Sequence, residues 1–293
     1  MSLIIFSHAN SFPASTYGVL FKNLRSRGFT VKAIEKFGHD DKYPVTNNWP
    51  HLVQQLIDFT QAEVEKAGAP AFLVGHSFGG FVSLMAAAHA PHLASGVLLV
   101  DAPILGGWRA TTLGVIKTAQ LVGSVSPGAV SHRRRNSWPS QQAALEHFRG
   151  KKAFAKWDPQ VLHDYIAHGT HDEDQGRREN EVSEETNLYS SYVVTKKRVL
   201  SFDRAIETAI YNTLPDNLDR LFRRHPIKCP VAFMGGLHSA EMKQVGMAMT
   251  EKITRGPVMM LDGSHLFPME QPIATAAAIE ASLLNMQRLH SLP

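Results

Sequence analysis

Short, continuously apolar runs alternate with segments of helical periodicity over both ends of this sequence. Two examples are the runs AFLV at 71–74 and GVLLV at 96–100, with a helix-like pattern between them. An apolar run without polar alternation is typical of a strand that is buried on both faces. The pattern therefore predicts an α/β protein with a mostly parallel sheet and helices on both faces.

The bounds of the individual elements follow from periodicity and from the glycines that close the helices. Strands are expected at 3–7, 29–34, 71–74, 96–100, 229–234 and 258–261. Helices are expected at 16–27, 51–67, 79–89, 239–255 and 273–290.

The alternation stops in the middle of the chain. Between 103 and 227 the sequence is richer in Arg, His and Gln, and it reads as mostly helical without a buried strand. We therefore expect a core of 1–102 and 228–293, with 103–227 inserted as a helical cap over the carboxyl edge of the sheet. Most of its aromatic residues are expected to pack the cap, and some to line an apolar acyl pocket: Trp108, Trp138, Phe148, Phe154, Trp157, Tyr165, Tyr189 and Tyr192.

Composition excludes several classes of partner. The net charge of +4 is mild, and the run HRRR at 132–135 is read as a solvated loop, so no nucleic-acid partner is expected. The single cysteine, Cys229, rules out an internal disulfide and fits a reducing cytoplasm. No run approaches the roughly 18 apolar residues of a membrane span, and MSLIIFSHAN lacks the basic region of a signal peptide. We expect a cytoplasmic protein.

The sequence GHSFGG, which joins the expected strand at 71–74 to the following helix, places Ser77 between Gly75 and Gly79. A strand that reverses into a helix within a few residues forces the serine outward into strained backbone angles, and flanking glycines allow the close approach. The amino end of the helix directs free N–H groups and its positive dipole end at the serine hydroxyl. This context indicates a nucleophile beside an oxyanion site.

A serine hydroxyl needs a base to accept its proton. His265 follows the apolar run at 258–261 in a loop at the carboxyl end of a strand, where the sites of open α/β sheets gather. Fifteen histidines are present, but this one combines the strand-end position with a Gly-Ser turn and a place after the serine. We expect His265 to be the base.

Together these motifs resemble those of the α/β-hydrolase superfamily. Gly75 to Gly80 resembles its nucleophile elbow, and Gly263-Ser264-His265 with the following PMEQP resembles its histidine loop. His8-Ala9-Asn10 is similar to the His-Gly-x loop that supplies the second oxyanion donor. The resemblance implies an oxyanion hole formed by the backbone N–H groups of Phe78 and Asn10, a structural role for His8 and His76, and no cofactor or metal.

One position departs from that pattern. The family usually carries its acid shortly after the strand that reads PVAFMGG here, but this chain has Ser239 at that place. Asp101, directly after the strand at 96–100, is the leading replacement, because some branches of the family carry the acid there. Asp262 and Glu241 stay open as alternatives, as does a dyad without an acid.

A serine at the elbow favours an acyl-enzyme and so the hydrolysis of carboxylic esters, thioesters or amides of a small-molecule acyl substrate. C–C bond hydrolysis and a non-catalytic binding protein stay open as alternatives. Another cluster has ligand types that suit zinc, but its spacing matches no known site, and we interpret it as a polar loop that follows a cap helix: His163, Asp164, His168, His171, Asp172, Glu173 and Asp174.

The superfamily generally has two strands before the His-Gly loop, whereas this sequence begins almost at the third. The strand at 29–34 would then lie at an edge of the sheet with unpaired backbone groups. Pairing of this edge in a homodimer is a hypothesis.

Overall fold

The structure, a computed structural model, describes residues 1–104, 106, 131–178, 193–254 and 258–290. Three of the aromatic residues expected to belong to the cap, Trp108, Tyr189 and Tyr192, lie outside this range.

A six-stranded parallel sheet forms the centre of the described chain. Its strands are β1 (Leu3–Ser7), β2 (Thr30–Ala33), β3 (Ala71–His76), β4 (Ala94–Val100), β8 (Val231–Gly236) and β9 (Met259–Leu261). Their order across the sheet is β2-β1-β3-β4-β8-β9, and every pair is parallel. The predicted fold class is confirmed.

Eleven helices lie entirely within the described ranges, together with short 3-10 turns, and residues 131–133 are also helical. In the core they are α1 (Gly18–Ser26), α2 (Pro50–Ala67), α3 (Phe78–His89), α8 (Ala240–Val245), α9 (Ala248–Thr254), α10 (Phe267–Glu270) and α11 (Pro272–His290). Between β4 and β8 lie α4 (Gln141–Arg149), α5 (Pro159–His168), α6 (Arg204–Asn212) and α7 (Leu218–Arg224). None of the helices in the described ranges is both long enough and apolar enough to cross a bilayer.

Alternate residues of each buried strand feed two hydrophobic clusters, one on each face of the sheet. On β1, Ile4 and Phe6 belong to the cluster that packs under α1 and α11. Leu3 and Ile5 belong to the other cluster, which packs under α2 and α3. Because successive side chains of a strand point to opposite faces, an unbroken apolar run is what a sheet covered on both sides requires.

The segment between β4 and β8 contains the expected helices and also a small antiparallel sheet. Its strands are β5 (Ser137–Trp138), β6 (Thr170–Arg178) and β7 (Val193–Leu200), in the order β5-β7-β6. The interpretation of 171–174 as a polar loop is wrong, because these residues lie on β6. Cross-strand ion pairs join Asp172 to Arg198 (3.1 Å) and Glu173 to Lys197 (2.8 Å), so the strand carries charge where a buried strand carries apolar residues.

Two further details concern single elements. The single helix expected at 239–255 is broken, since Gly246 has a φ of 80° between α8 and α9. The strand expected at an edge, β2, does lie at one edge of the sheet. The dimer hypothesis based on that edge stays a prediction.

Candidate active site

The predicted site residues meet at the carboxyl edge of the sheet. Ser77 directly follows β3, Asp101 directly follows β4, and His265 lies in the loop after β9. Because these strands are parallel, their carboxyl ends lie along one edge, which explains how residues separated by up to 188 positions come into contact.

The turn at Ser77 has the strained backbone that the GHSFGG motif predicts. Ser77 has φ 53° and ψ −119°, and it is the residue immediately before α3. A Cβ on Gly79 would lie 2.1 Å from the carbonyl oxygen of Ser7, and a Cβ on Gly75 would lie 2.2 Å from that of Gly79. Both glycines are therefore required by the close passage of β1, β3 and α3.

A line of hydrogen bonds joins the three polar residues. His265 Nδ1 lies 2.5 Å from Asp101 Oδ2, and His265 Nε2 lies 2.9 Å from Ser77 Oγ. Since the carboxylate can only accept, Nδ1 carries the proton, and Nε2 is left as the acceptor that faces the serine hydroxyl. This arrangement can pass a proton from Ser77 to His265 while Asp101 stabilises the imidazolium.

Asp101 is fully buried and has a donor for each of its oxygens. Oδ1 accepts from the backbone N–H of Gly236 (2.7 Å), and Oδ2 accepts from Ser239 Oγ (2.6 Å) as well as from His265. The side chain that stands in place of the expected family acid therefore supports the carboxylate of the neighbouring strand. Three donors compensate the loss of water around a buried carboxylate.

The two alternative acids lie farther from the imidazole or face elsewhere. Glu241 Oε2 is 3.8 Å from His265 Nδ1, beyond hydrogen-bond distance, and its side chain is 46% exposed. Asp262 is 71% exposed and pairs with His238 at 3.2 Å. The contacts with His265 therefore favour Asp101.

A metal ion could bind to the acidic groups and the imidazole of this site only if the hydrogen bond between Asp101 and His265 were broken. Within the described residues, ligand atoms of Asp101, Glu241 and His265 lie within 4.8 Å of one another. A metal bound to His265 Nδ1 would displace the proton that Asp101 accepts, so the hydrogen-bonded geometry fits a site without a metal.

The loop of His265 is fixed by a carboxylate of its own. Glu270, at the end of α10, accepts from the backbone N–H of Ser264 (3.0 Å) and from Ser264 Oγ (2.5 Å). These two charge-assisted bonds close the turn in front of the histidine. Within the histidine-loop motif, Glu270 thus holds the turn that carries His265 in place.

Two buried residues link the loop after β1 to the loop of His265. The hydroxyl of Tyr17 accepts from the N–H of Ala9 (3.0 Å) and donates to His76 Nδ1 (2.8 Å). His76 Nε2 then donates to the carbonyl oxygen of His265 (2.9 Å). Burial, opposed only in part by these contacts, lowers the pKa of His76 to about 3 and raises that of Tyr17, so both are neutral.

The loop after β1 supplies the second candidate oxyanion donor. Buried His8 donates from Nδ1 to the carbonyl oxygen of Ala9 (2.8 Å) and accepts from the N–H of Phe37 (3.1 Å), and burial lowers its pKa to about 4. In a trans peptide the carbonyl of Ala9 and the N–H of Asn10 point in opposite directions. The backbone N–H groups of Asn10 and Phe78 donate to no other group in the described part of the chain.

Sequence reasoning missed three residues that support this site. From the sequence, Ser239 is the place of a missing acid, and no supporting role is assigned to Tyr17 or Glu207. Glu207 is buried and accepts a hydrogen bond from Ser11. The partners lie 59 to 196 positions apart in the chain, so no local motif marks them.

The sequence matches the profile of the alpha/beta hydrolase family over residues 4–278. The chain therefore belongs to the alpha/beta hydrolase family.

Curated relatives share about a quarter of their aligned residues with this chain. The chain is 28% identical over 130 residues to the monoglyceride lipase of Rattus norvegicus, and the aligned region covers 43% of this chain and 43% of that protein. It is 26% identical over 172 residues to the type I acyl-CoA thioesterase mpaH of Penicillium roqueforti, and the aligned region covers 54% of this chain and 37% of that protein. The chain thus spans less than half the length of these relatives.

Among solved structures, the peroxisomal alpha-beta-hydrolase Lpx1 from Saccharomyces cerevisiae superposes with a TM-score of 0.68. The match covers 99% of this chain and 77% of that chain, with 12% sequence identity. At this identity the similarity concerns the fold alone.

Proposed function

We propose that this protein is a serine hydrolase that cleaves a carboxylic ester or thioester of a small to medium apolar acyl group. The observation that carries the proposal is the hydrogen-bonded line from Asp101 through His265 to Ser77. Two relatives support the bond class, because a monoglyceride is an ester and an acyl-CoA is a thioester.

In the first half of the reaction, Ser77 Oγ attacks the carbonyl carbon of the substrate and its proton passes to His265 Nε2. Asp101 stabilises the resulting imidazolium through Nδ1. The oxyanion of the tetrahedral intermediate accepts from the backbone N–H groups of Phe78 and Asn10. The intermediate collapses, the alcohol or thiol leaves with the proton from His265, and the acyl group stays on Ser77.

In the second half, water replaces the leaving group. His265 Nε2 accepts a proton from the water as it attacks the acyl carbonyl, and the same two N–H groups hold the second oxyanion. Collapse returns the proton from His265 to Ser77 Oγ and releases the carboxylic acid. No cofactor or metal takes part in these steps.

The segment 103–227 is proposed to be the cap that covers this site. Its aromatic side chains support an apolar binding region, since Phe12 of the core contacts Trp157 (ring centroids 5.5 Å apart) and Tyr165 (5.6 Å). Phe148 and Phe154 extend the same cluster. Helix α5 packs against the turn Ala14–Tyr17 and against α1, and the acyl group is expected to contact the part of the cluster nearest Ser77.

Hydrolysis of p-nitrophenyl esters of increasing acyl length tests the proposal. Wild type is expected to hydrolyse them with a maximum at one chain length, and Ser77→Ala to lower turnover by roughly 10⁴-fold or more. Ser83→Ala is the matched control, because Ser83 lies on α3 and, among the described residues, its hydroxyl is hydrogen-bonded to Ser7 Oγ (3.3 Å). Equal rates for Ser77→Ala and Ser83→Ala would contradict the proposal, as would no turnover by wild type.

A further inference from the structure

A buried carboxylate from the inserted segment holds the loop after β1. Glu207 lies on α6 and is 4% exposed. Its Oε1 accepts from Ser11 Oγ (2.5 Å), and its backbone carbonyl accepts from Asn10 Nδ2 (3.1 Å). Two consecutive residues of the loop that carries the proposed oxyanion donor are therefore bonded to one residue some two hundred positions away.

The other oxygen of this carboxylate faces a cation of the inserted segment. Glu207 Oε2 lies 2.9 Å from Arg134 Nη2. Arg204, also on α6, donates to the carbonyl oxygens of His132 (3.2 Å) and Arg134 (2.8 Å). The prediction that 132–135 is a solvated loop is wrong in part: residues 132 and 133 are exposed but helical, and α6 holds both the backbone and the side chain of Arg134.

These contacts matter because the loop is not in a relaxed conformation. Ser11 has φ 80°, a left-handed value that a serine adopts only when its surroundings hold it there. Glu207 in turn needs its partners, because a carboxylate buried without donors or a cation is strongly destabilising. Burial also raises the pKa of Glu207, against the opposing effect of Arg134.

We propose that Glu207 is a positioning residue that fixes the loop Ala9–Ser11, and with it the N–H of Asn10, in the orientation needed for oxyanion binding. The inference rests on the proposed function, since it gives that loop a catalytic task. It makes the oxyanion site dependent on α6 and Arg134. The proposed cap would then orient an oxyanion donor as well as cover the site.

Three variants and one control test the proposal. Glu207→Ala removes both contacts of the carboxylate, while Glu207→Gln keeps an acceptor for Ser11 and a similar shape. Ser11→Ala removes a single hydroxyl on the core side, and it serves if Glu207→Ala does not fold. Glu173→Gln is the matched control, because Glu173 forms an exposed ion pair with Lys197 in the same inserted segment.

The first measurement is hydrogen–deuterium exchange of the peptide that covers residues 8–12. We expect exchange to be at least several-fold faster in Glu207→Ala and Ser11→Ala than in Glu173→Gln, which should match wild type. This measurement needs no turnover, so it tests the positioning even if the protein hydrolyses no ester. Equal exchange in all variants would overturn the proposal.

The second measurement separates oxyanion binding from substrate binding. A trifluoromethyl ketone forms a hemiketal with the serine and places an oxyanion where the transition state does. Loss of one oxyanion donor costs roughly 100- to 1000-fold, so a misplaced donor should lower kcat by about 10- to 100-fold in Glu207→Ala. Affinity for the ketone should fall in parallel, with KM nearly unchanged and Glu207→Gln closer to wild type. A loss of kcat without any loss of ketone affinity would refute the assignment.

Discussion

At residue 239 this chain carries a hydroxyl where the alpha/beta hydrolase pattern places a carboxylate. Ser239 Oγ lies 2.6 Å from the same oxygen of Asp101 that His265 Nδ1 approaches to 2.5 Å. Asp101 has φ 43°, a left-handed value that Asp and Asn adopt more readily than most residues. Ser239 Oγ and His265 Nδ1 thus meet at one carboxylate oxygen, and we expect that an acid at position 239 could serve the imidazole in place of Asp101.

This geometry predicts a rescue. Asp101→Asn should lower kcat/KM for a p-nitrophenyl ester by roughly 10³- to 10⁴-fold, because the amide no longer stabilises the imidazolium or fixes its tautomer. Adding Ser239→Asp should restore at least about tenfold, since aspartate reaches farther than serine and is an equally good cap for α8. Steady-state kinetics of the single and double variants measure both effects.

The control for the rescue is Asp101→Asn combined with Ser239→Ala, which should stay as slow as Asp101→Asn alone. A double variant with aspartate at 239 that is no faster than this control would show that position 239 cannot serve the imidazole.

At the scale of elements, the turn between β3 and α3 depends on a close approach of its backbone to the backbone of β1. Gly79 lies against the end of β1, so that an added methyl group would meet the Ser7 carbonyl oxygen at 2.1 Å. A backbone atom in a central strand cannot give way as the end of a flexible side chain can. The same close passage brings the amino end of α3 against the loop that carries Asn10.

Gly79→Ala is therefore expected to destabilise the protein by about 3 kcal/mol or more, or to prevent folding, because overpacking at a rigid site forces backbone shifts. Gly150→Ala should change stability by less than about 1 kcal/mol, since the nearest atom would lie at 3.5 Å and its φ is −76°. Urea unfolding of the two variants measures the difference. A well-folded Gly79→Ala protein with wild-type stability would contradict the packing argument.

All six strands of the parallel sheet are predicted, and the signal is clearest where burial is uniform. Strands β1, β3 and β4 are buried along their whole length or nearly so, and their apolar runs mark them. Strands β6 and β7 escape prediction, because cross-strand ion pairs replace the apolar alternation that periodicity detects. The break at Gly246 also escapes, since a single glycine inside a helical pattern does not reveal its φ.

The candidate site divides in the same way. Ser77, His265 and Asp101 could be proposed because each stands at a strand end, and Ser77 and His265 also belong to short motifs. Their supports could not, because Ser239, Tyr17 and Glu207 act through partners brought close only by the complete fold. The cytoplasmic location expected from the cysteine count stays a prediction, as does the homodimer.

At the scale of the whole molecule, two buried neutral histidines connect the core. His8 joins the loop after β1 to Phe37, and His76 joins β3 to the loop of His265. Burial lowers their pKa values from 6.5 to about 4 and about 3. In the unfolded chain both histidines take up protons below about pH 6.5. In the folded protein the same two side chains stay neutral until the pH reaches about 4 or lower.

The free energy of unfolding is therefore expected to decrease as the pH is lowered from about 6.5 to 4. The unfolded state binds more protons than the folded state in this window, and each histidine contributes up to about 1.4 kcal/mol per pH unit. His76→Gln should lose part of this slope in urea unfolding at pH 6.5, 5.5 and 4.5. His51→Gln, a change at an exposed position on α2, should keep it. Identical slopes for all three proteins would contradict the neutral role of His76.

In the proposed mechanism, Ser77 is a nucleophile activated by His265 and Asp101. The most direct test of this role is the intact mass of the protein after treatment with a fluorophosphonate, followed by peptide mapping. We expect one adduct on Ser77 in wild type, the same adduct in Ser83→Ala and none in Ser77→Ala. No adduct in wild type, or an adduct that persists in Ser77→Ala, would contradict it.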